Sequence, residues 1–365
     1  MQSSKRLQSL DVLRGMTIML MIIVNNPGSW SHIYPPLEHS KWHGWTPTDL
    51  VFPFFLFIVG TAMWYSFKKT DHQLSLPMSL KIIKRTVIIF ALGLFLNAFP
   101  FTGFSLESWR IMGVLQRIAL AYCTASFLVL LVPVRASYWS SAIILFAYWG
   151  ILLLFGGDHP LTLQDNVVRS LDLKLLGESH MYGGYGIPFD PEGLLSTLPA
   201  VVNVLFGYFA GKLIDEHENK KEVVIKLFLW GLAGFVLALI WNPFFPVNKP
   251  IWTSSYVLLT CGLAAIFLAF LIWLIDIKGI RKWAHPFLVY GMNPLFIYVL
   301  AGVWATMLWV IKLPDGTSLQ GFIYNKLLVP WAGELNGSLF FALHLAIIFW
   351  IIALILYKKK IFIKI

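Results

Sequence analysis

Apolar residues in this chain do not alternate at a strand period, nor do they recur along one helical face. They gather into long unbroken runs separated by short polar stretches. A helix needs about 20 consecutive apolar residues to cross a hydrocarbon core of about 30 Å. Ten runs approach that length, at about 10–26, 48–67, 83–100, 111–132, 137–155, 193–214, 223–242, 254–275, 286–310 and 338–357. The pattern predicts an all-α polytopic membrane protein with about ten transmembrane helices. The longest polar interval, 156–192, falls between the fifth and sixth predicted helices. It is rich in Gly, Asp and Pro, which is turn chemistry. No internal repeat, heptad seam or soluble linker interrupts the series, so 1–365 is read as a single transmembrane domain.

Composition agrees with the runs. The chain is 58% apolar with 13% charged residues, and globular chains average roughly 25% charged. Its mean hydropathy is +0.72. Lys and Arg are retained in the cytoplasmic loops of membrane proteins. With the N-terminus cytoplasmic, 19 of the 28 basic residues fall on the cytoplasmic side, 7 on the other, and Arg14 and Arg117 lie inside predicted helices. Both termini are therefore expected in the cytoplasm and the 156–192 loop outside it. The net charge of +10 then reflects loop retention and anionic headgroups and calls for no nucleic acid. No cleavable signal is evident, because the first apolar run is too long. Cys123 and Cys261 sit within predicted helices and read as small apolar fillers.

One stretch concentrates the chemistry. In HSKWHGWTPTDL, His39 to Leu50, two histidines, two tryptophans, two threonines and an aspartate stand at the entrance to the second apolar run. Thr46, Pro47 and Asp49 have the spacing of a helix start: cap, first-turn proline, capping-box acid. Imidazole, with an ordinary pKa of about 6.5, suits general-base work at neutral pH, which makes His39 the candidate base. Asp49 is the candidate that orients it, by the logic of a base held by a third group. The first run adds Asp11 and Arg14 near its inner end and Asn25 at its outer end, and Asn25 could donate to an oxyanion. Arg14 and Asn25 are eleven residues apart, about three helical turns, and so share a face. An intramembrane arginine faces a partner or an aqueous path, and pairing of Arg14 with Asp11 is compatible with either. Arg110 and Arg117, two turns apart, repeat the theme. His39 and His43 lack a third nearby ligand, so no metal is expected.

Taken in order, these segments resemble the heparan-α-glucosaminide N-acetyltransferase family of membrane acyltransferases. The likeness runs through SLDVLRG with Asn25, the H-x-x-W-x-G-x-T-x-x-D-L pattern (His39, Trp42, Gly44, Thr46, Asp49), RIMGVLQR, LLGESHMY, FDPEGLLST, VNKPIWTSSYVL, YGMNPLFIYV and the terminal YKKKIFIKI. The resemblance implies transfer of acetyl from cytoplasmic acetyl-CoA, a co-substrate, to the amine of a terminal glucosamine on the far side. It makes His39, Asp49 and Asn25 the expected catalytic residues. Arg6, Arg14, Arg110 and Arg117 become expected donor-binding residues; Trp42, His180, Asp190 and Glu192 become expected acceptor contacts. It is compatible with a homodimer, and the compact construction suggests a bacterial inner (plasma) membrane location with the site facing the periplasm. Animal members carry an additional N-terminal luminal part and a further span, neither of which this sequence contains.

The residues leave other readings open. The LDVLRG start also resembles membrane O-acyltransferases of surface glycans, whose acceptor is a hydroxyl. Intramembrane arginines and the proline-bearing second helix would also suit a transporter of amino sugars or lipid-linked sugars. A direct transfer in a ternary complex and a covalent acetyl-His39 route are both chemically allowed, and direct transfer is favoured because no second base adjoins His39.

Overall fold

The computed structural model describes residues 7–363 and is helical throughout, with no strand among the described residues beyond an isolated bridge between Lys312 and Ser318. In chain order the helices are α1 (Gln8–Asn25), α2 (Val51–Phe67), α3 (Leu76–Ala98), α4 (Val114–Leu131), α5 (Val134–Phe155), α6 (Val167–Leu175), α7 (Thr197–Glu216), α8 (Lys220–Trp241), α9 (Ser254–Leu271), α10 (His285–Gly291), α11 (Pro294–Val310), α12 (Leu319–Phe322) and α13 (Val329–Lys358). Among the described residues, eight helices are long and apolar enough to cross a membrane, or nine if α10 and α11 form one bent span. The remaining predicted span, α3, is 23 residues long, or about 35 Å at 1.5 Å per residue. Lys81, Lys84 and Arg85 in its first half leave it less apolar than the others.

Two departures from the predicted boundaries have local causes. The sixth span begins at Thr197 rather than 193, because Asp190–Gly193 closes a turn through Gly193 N–H to Asp190 O (3.0 Å). The ninth is broken by 75° between α10 and α11. Pro294 offers no backbone donor and drives its predecessor out of the helical region, and Asn293 indeed adopts φ −133°, ψ 53°.

The chain divides into two compact units. The first takes in the described residues up to Ser40, Trp45–Phe55 and everything from Phe270 onward; the second takes in Lys41–Gly44 and Leu56–Ala269. In the first unit α1 lies directly against α10, where a methyl group at Gly15 would fall 1.6 Å from the Phe287 carbonyl oxygen and one at Gly291 would fall 2.1 Å from that of Asp11. Ahead of α11 stands its N-cap residue Asn293, whose side-chain amide donates to Ile361 O (3.0 Å) and accepts from Ile363 N–H (2.8 Å). Asn293 therefore fastens the C-terminal tail and is spent on that task.

The second unit is built around α7. Of its most apolar window 78% is buried, against 22% for α5 and for α8, which turn most of their surface outward. Helices in lipid gain little from apolar burial against one another and rely on close backbone approach. A methyl at Gly60 of α2 would fall 1.8 Å from Val204 O of α7, and one at Gly207 of α7 would fall 1.8 Å from Phe57 O. Gly60→Ala or Gly207→Ala should therefore force the two backbones apart and cost about 1–3 kcal/mol. Gly150 of α5 has open space around it, so Gly150→Ala should leave the melting temperature in detergent unchanged while the other two lower it.

Candidate active site

The turn ahead of α2 forms as the sequence predicts. Thr46 is extended, Pro47 opens a single 3-10 turn (Pro47–Leu50), and the capping box with Asp49 closes. Asp49 Oδ2 accepts from the Thr46 backbone N–H at 3.0 Å and from the Ser40 N–H at 3.1 Å. Its other oxygen, Oδ1, stands 2.7 Å from His39 Nδ1. The Asp49 side chain has no solvent exposure, whereas that of His39 is 44% exposed. An ionised carboxylate only accepts, so Nδ1 carries the proton and the imidazole's basic lone pair lies on Nε2. The Thr46 hydroxyl reaches back to Glu38 O (2.6 Å), tying the segment ahead of His39 to the same turn.

The intervening residues Lys41–Gly44 belong to the second unit, and three successive positions are each tied down there. The Trp42 indole N–H donates to Leu161 O (2.8 Å), and its ring packs edge-on against Phe189. His43 Nδ1 lies 3.3 Å from Asn248 Nδ2. The Gly44 N–H donates to Val247 O (2.8 Å) at φ +97°, a conformation that a side chain would strain. Trp42 is therefore an anchor in an apolar cluster with Tyr148, Leu152 and Phe245, whereas Trp30 and Trp45 stay exposed. Burial holds the His43 pKa below the ordinary histidine value.

Arg110, expected at the acyl donor, is instead the hub of an acidic cluster. Its Nε and Nη2 grip Asp190 (3.0 and 2.8 Å), and Nη2 also meets Glu192 (2.8 Å). Burial opposes the guanidinium charge, but Asp190 and Glu192 outweigh it and hold the pKa above the ordinary arginine value. One cation between two anions gives this cluster a net charge of −1. Asp190, expected to contact sugar, is fully buried and has both oxygens committed, Oδ1 also accepting from the Glu192 N–H (3.0 Å). Glu192 is slightly exposed. Arg117 has no solvent exposure; it donates to Ser196 Oγ and Gly193 O and stacks over Trp252. His180 Nδ1 donates to Trp109 O (2.7 Å), and its side chain is partly exposed.

In the first unit, Arg14 pairs with Asp11 at 3.0 Å. Asn25 lines an open cavity of about 280 Å³ with Asn26, Trp30, Thr306, Trp309 and Gln320, and His39 is not part of that lining. Arg6 lies outside the described residues. Among the described residues no group of three His, Cys, Asp or Glu could hold a metal ion. Sequence reasoning missed Asp172. Its Oδ1 accepts from the Leu194 N–H (3.0 Å), and its buried Oδ2 finds no hydrogen-bond partner among the described residues. It also missed the cluster of Trp64, His72 and Tyr208, in which the Tyr208 hydroxyl lies 2.8 Å from His72 Nδ1 and Trp64 donates to Asp215 (3.1 Å).

Comparison with known proteins gives concordant findings. A sequence model described as heparan-alpha-glucosaminide N-acetyltransferase, catalytic, matches residues 6–241. The mouse heparan-alpha-glucosaminide N-acetyltransferase is 27% identical over 424 aligned residues, covering 100% of this chain and 61% of the relative. The human protein of that name is 28% identical over 422, covering 99% and 60%. The chain thus spans about three fifths of the length of these relatives.

Asp172 offers a test of the loop's electrostatics. Burial, with Asp190 adding repulsion and the Leu194 N–H and Arg117 opposing, raises its pKa to about 7. The folded state then prefers the protonated acid, so the stability this group contributes is full below the ordinary carboxylate range and lost as pH rises through about 7. Asp172→Asn should be more stable than the parent by a margin that grows from pH 5 to pH 8 in thermal unfolding; an equal margin at both would mean the carboxylate stays charged.

Proposed function

This chain belongs to the heparan-alpha-glucosaminide N-acetyltransferase family, and on that premise we propose that it is a membrane acetyltransferase. It moves acetyl from acetyl-CoA on the cytoplasmic side, where the basic loops gather, to the amine of a terminal glucosamine on the opposite face. In a bacterial host that face is the periplasmic side of the inner membrane.

The observation that carries this reading is the His39 Nδ1–Asp49 Oδ1 contact of 2.7 Å to a carboxylate with no solvent exposure. In the proposed reaction the neutral amine attacks the thioester carbonyl and the C–S bond breaks. His39 Nε2 takes the proton that the amine gives up, and the CoA thiolate departs and is protonated. Asp49 keeps the ring in the tautomer this needs and stabilises the imidazolium as it forms. Asn25 is assigned the oxyanion-donor role on the strength of its place in the first-span motif. Arg6 and Arg14 are assigned to the donor's anionic end. The Arg14–Asp11 pair leaves the Arg14 side chain 20% exposed, which suits a partner shared between a carboxylate and a diffusible anion. His180 and Glu192, each with some solvent exposure, are the acceptor contacts that remain once Asp190 is committed to Arg110. Trp42 acts as a packing anchor against Phe189.

Purified protein with acetyl-CoA and glucosamine should yield N-acetylglucosamine. His39→Ala should lower kcat/KM about 10²- to 10⁴-fold, and Asp49→Asn should lower kcat in the same direction with little change in acetyl-CoA KM. Ester formation in place of the amide would identify an O-acyltransferase, and sugar movement without CoA release a transporter. A radiolabelled acetyl group trapped on the protein without acceptor, and absent from His39→Ala, would replace direct transfer by the covalent route.

A further inference from the structure

The two histidines of the motif are held in opposite tautomers. His39 donates from Nδ1 to a carboxylate. For His43 the partner is Asn248, which is fully buried, and the direction of that hydrogen bond is settled by what the amide does elsewhere. Asn248 Oδ1 accepts from the Ile251 backbone N–H at 2.9 Å, so the amide oxygen is committed there and the NH2 group is the end that faces His43 at 3.3 Å. A side-chain NH2 only donates, so His43 Nδ1 must be the acceptor and the ring proton must sit on Nε2. The Asn248 backbone is itself pinned, its N–H donating to Thr253 Oγ1 (3.0 Å) and its carbonyl accepting from the Thr253 N–H (3.0 Å). On the other side of the pair, the Gly44 N–H bond to Val247 O (2.8 Å) and the Trp42 bond to Leu161 O (2.8 Å) fix the backbone flanking His43.

The result is an exposed imidazole, held at its base by Asn248 and carrying its N–H donor at Nε2. Desolvation holds its pKa below the ordinary value, in the direction that favours the neutral ring. Neutrality preserves the Nδ1 lone pair that accepts from Asn248, and Nε2–H is a hydrogen-bond donor for a hydroxyl or carbonyl oxygen. A sugar is rich in such oxygens.

We propose that His43 binds the acceptor sugar by donating a hydrogen bond from Nε2 to one of its oxygens, and that Asn248 is the positioning residue that sets this tautomer. The proposal rests on the acetyltransferase reading for its substrate class and on the Asn248 geometry for its residue.

The full-length protein with ¹⁵N-labelled histidine gives the first readout, with His43→Phe assigning the signal: His43 is expected protonated at Nε2, and an Nδ1-protonated ring overturns the proposal. Kinetics give the second. His43→Phe should raise the glucosamine KM about threefold to tenfold, the worth of one neutral hydrogen bond, with the acetyl-CoA KM unchanged. His43→Gln, whose amide N–H can occupy the place of Nε2–H, should recover most of that loss. Asn248→Asp, which turns the partner into an acceptor and so draws the proton to Nδ1, should raise the same KM. Equal changes in both KM values, or a glutamine variant no better than phenylalanine, would mean a structural role only. If the parent protein fails to acetylate glucosamine, the reading of the previous section falls by itself. Titration with glucosamine then decides the present one: a shifted His43 Nε2 signal supports it and an unshifted one ends it.

Discussion

A carboxylate sealed from water at the start of α2 is the constraint from which the site follows. A charge in such a place is tolerated only when hydrogen bonds replace its hydration, and Asp49 gathers donors from within ten residues along the chain, among them the His39 ring and the backbone N–H groups of Ser40 and Thr46. These are also the contacts that start the helix and shape the preceding loop. The direction of the His39 ring is thus a by-product of solvating Asp49. Charge burial, helix initiation and imidazole orientation form one cooperative unit, and none can be altered alone.

The loop layer of the second unit obeys the same rule with a less complete outcome. Asp190 is fully satisfied by Arg110 and by the backbone of Glu192. Arg117 is buried with a stacked ring and two acceptors for Nη2, yet its Nε and Nη1 find no partner among the described residues. Asp172 is half satisfied and meets the deficit by holding its proton into the neutral range. The loop between α5 and α7 is therefore held by charge as much as by apolar packing, and Asp190 and Glu192 both take part in that holding through Arg110.

What was legible in the sequence was what is local. The apolar runs announced their helices because a span must be apolar over its whole length. Thr46-Pro47-Thr48-Asp49 could be read as a cap because its partners lie three residues apart, and Arg14 with Asp11 for the same reason. His39 with Asp49, ten apart, was reachable only as a chemical guess. The contacts that redirect Arg110, Asp190 and His43 bridge 80 to 205 positions, and nothing in a single chain's pattern marks such pairings. In sequence Asn248 and Asn293 are each an isolated polar residue, and only the fold separates an amide that meets an imidazole from one that fastens a tail. The division into two units was invisible too, since the chain crosses between them within α2 and near the end of α9, where composition does not change.

The contact between α2 and α7 has a consequence for how the second unit meets its solvent. Where Gly60 and Gly207 bring the two backbones together, no acyl chain can lie between them, and that seam is dry of lipid as well as of water. Helices α5 and α8, by contrast, turn most of their apolar surface outward, where a bilayer would cover it. Stripping annular lipid during purification, or moving the protein to a bilayer of another thickness, would act on α5 and α8 and leave the α2–α7 seam indifferent to the identity of the surrounding fat.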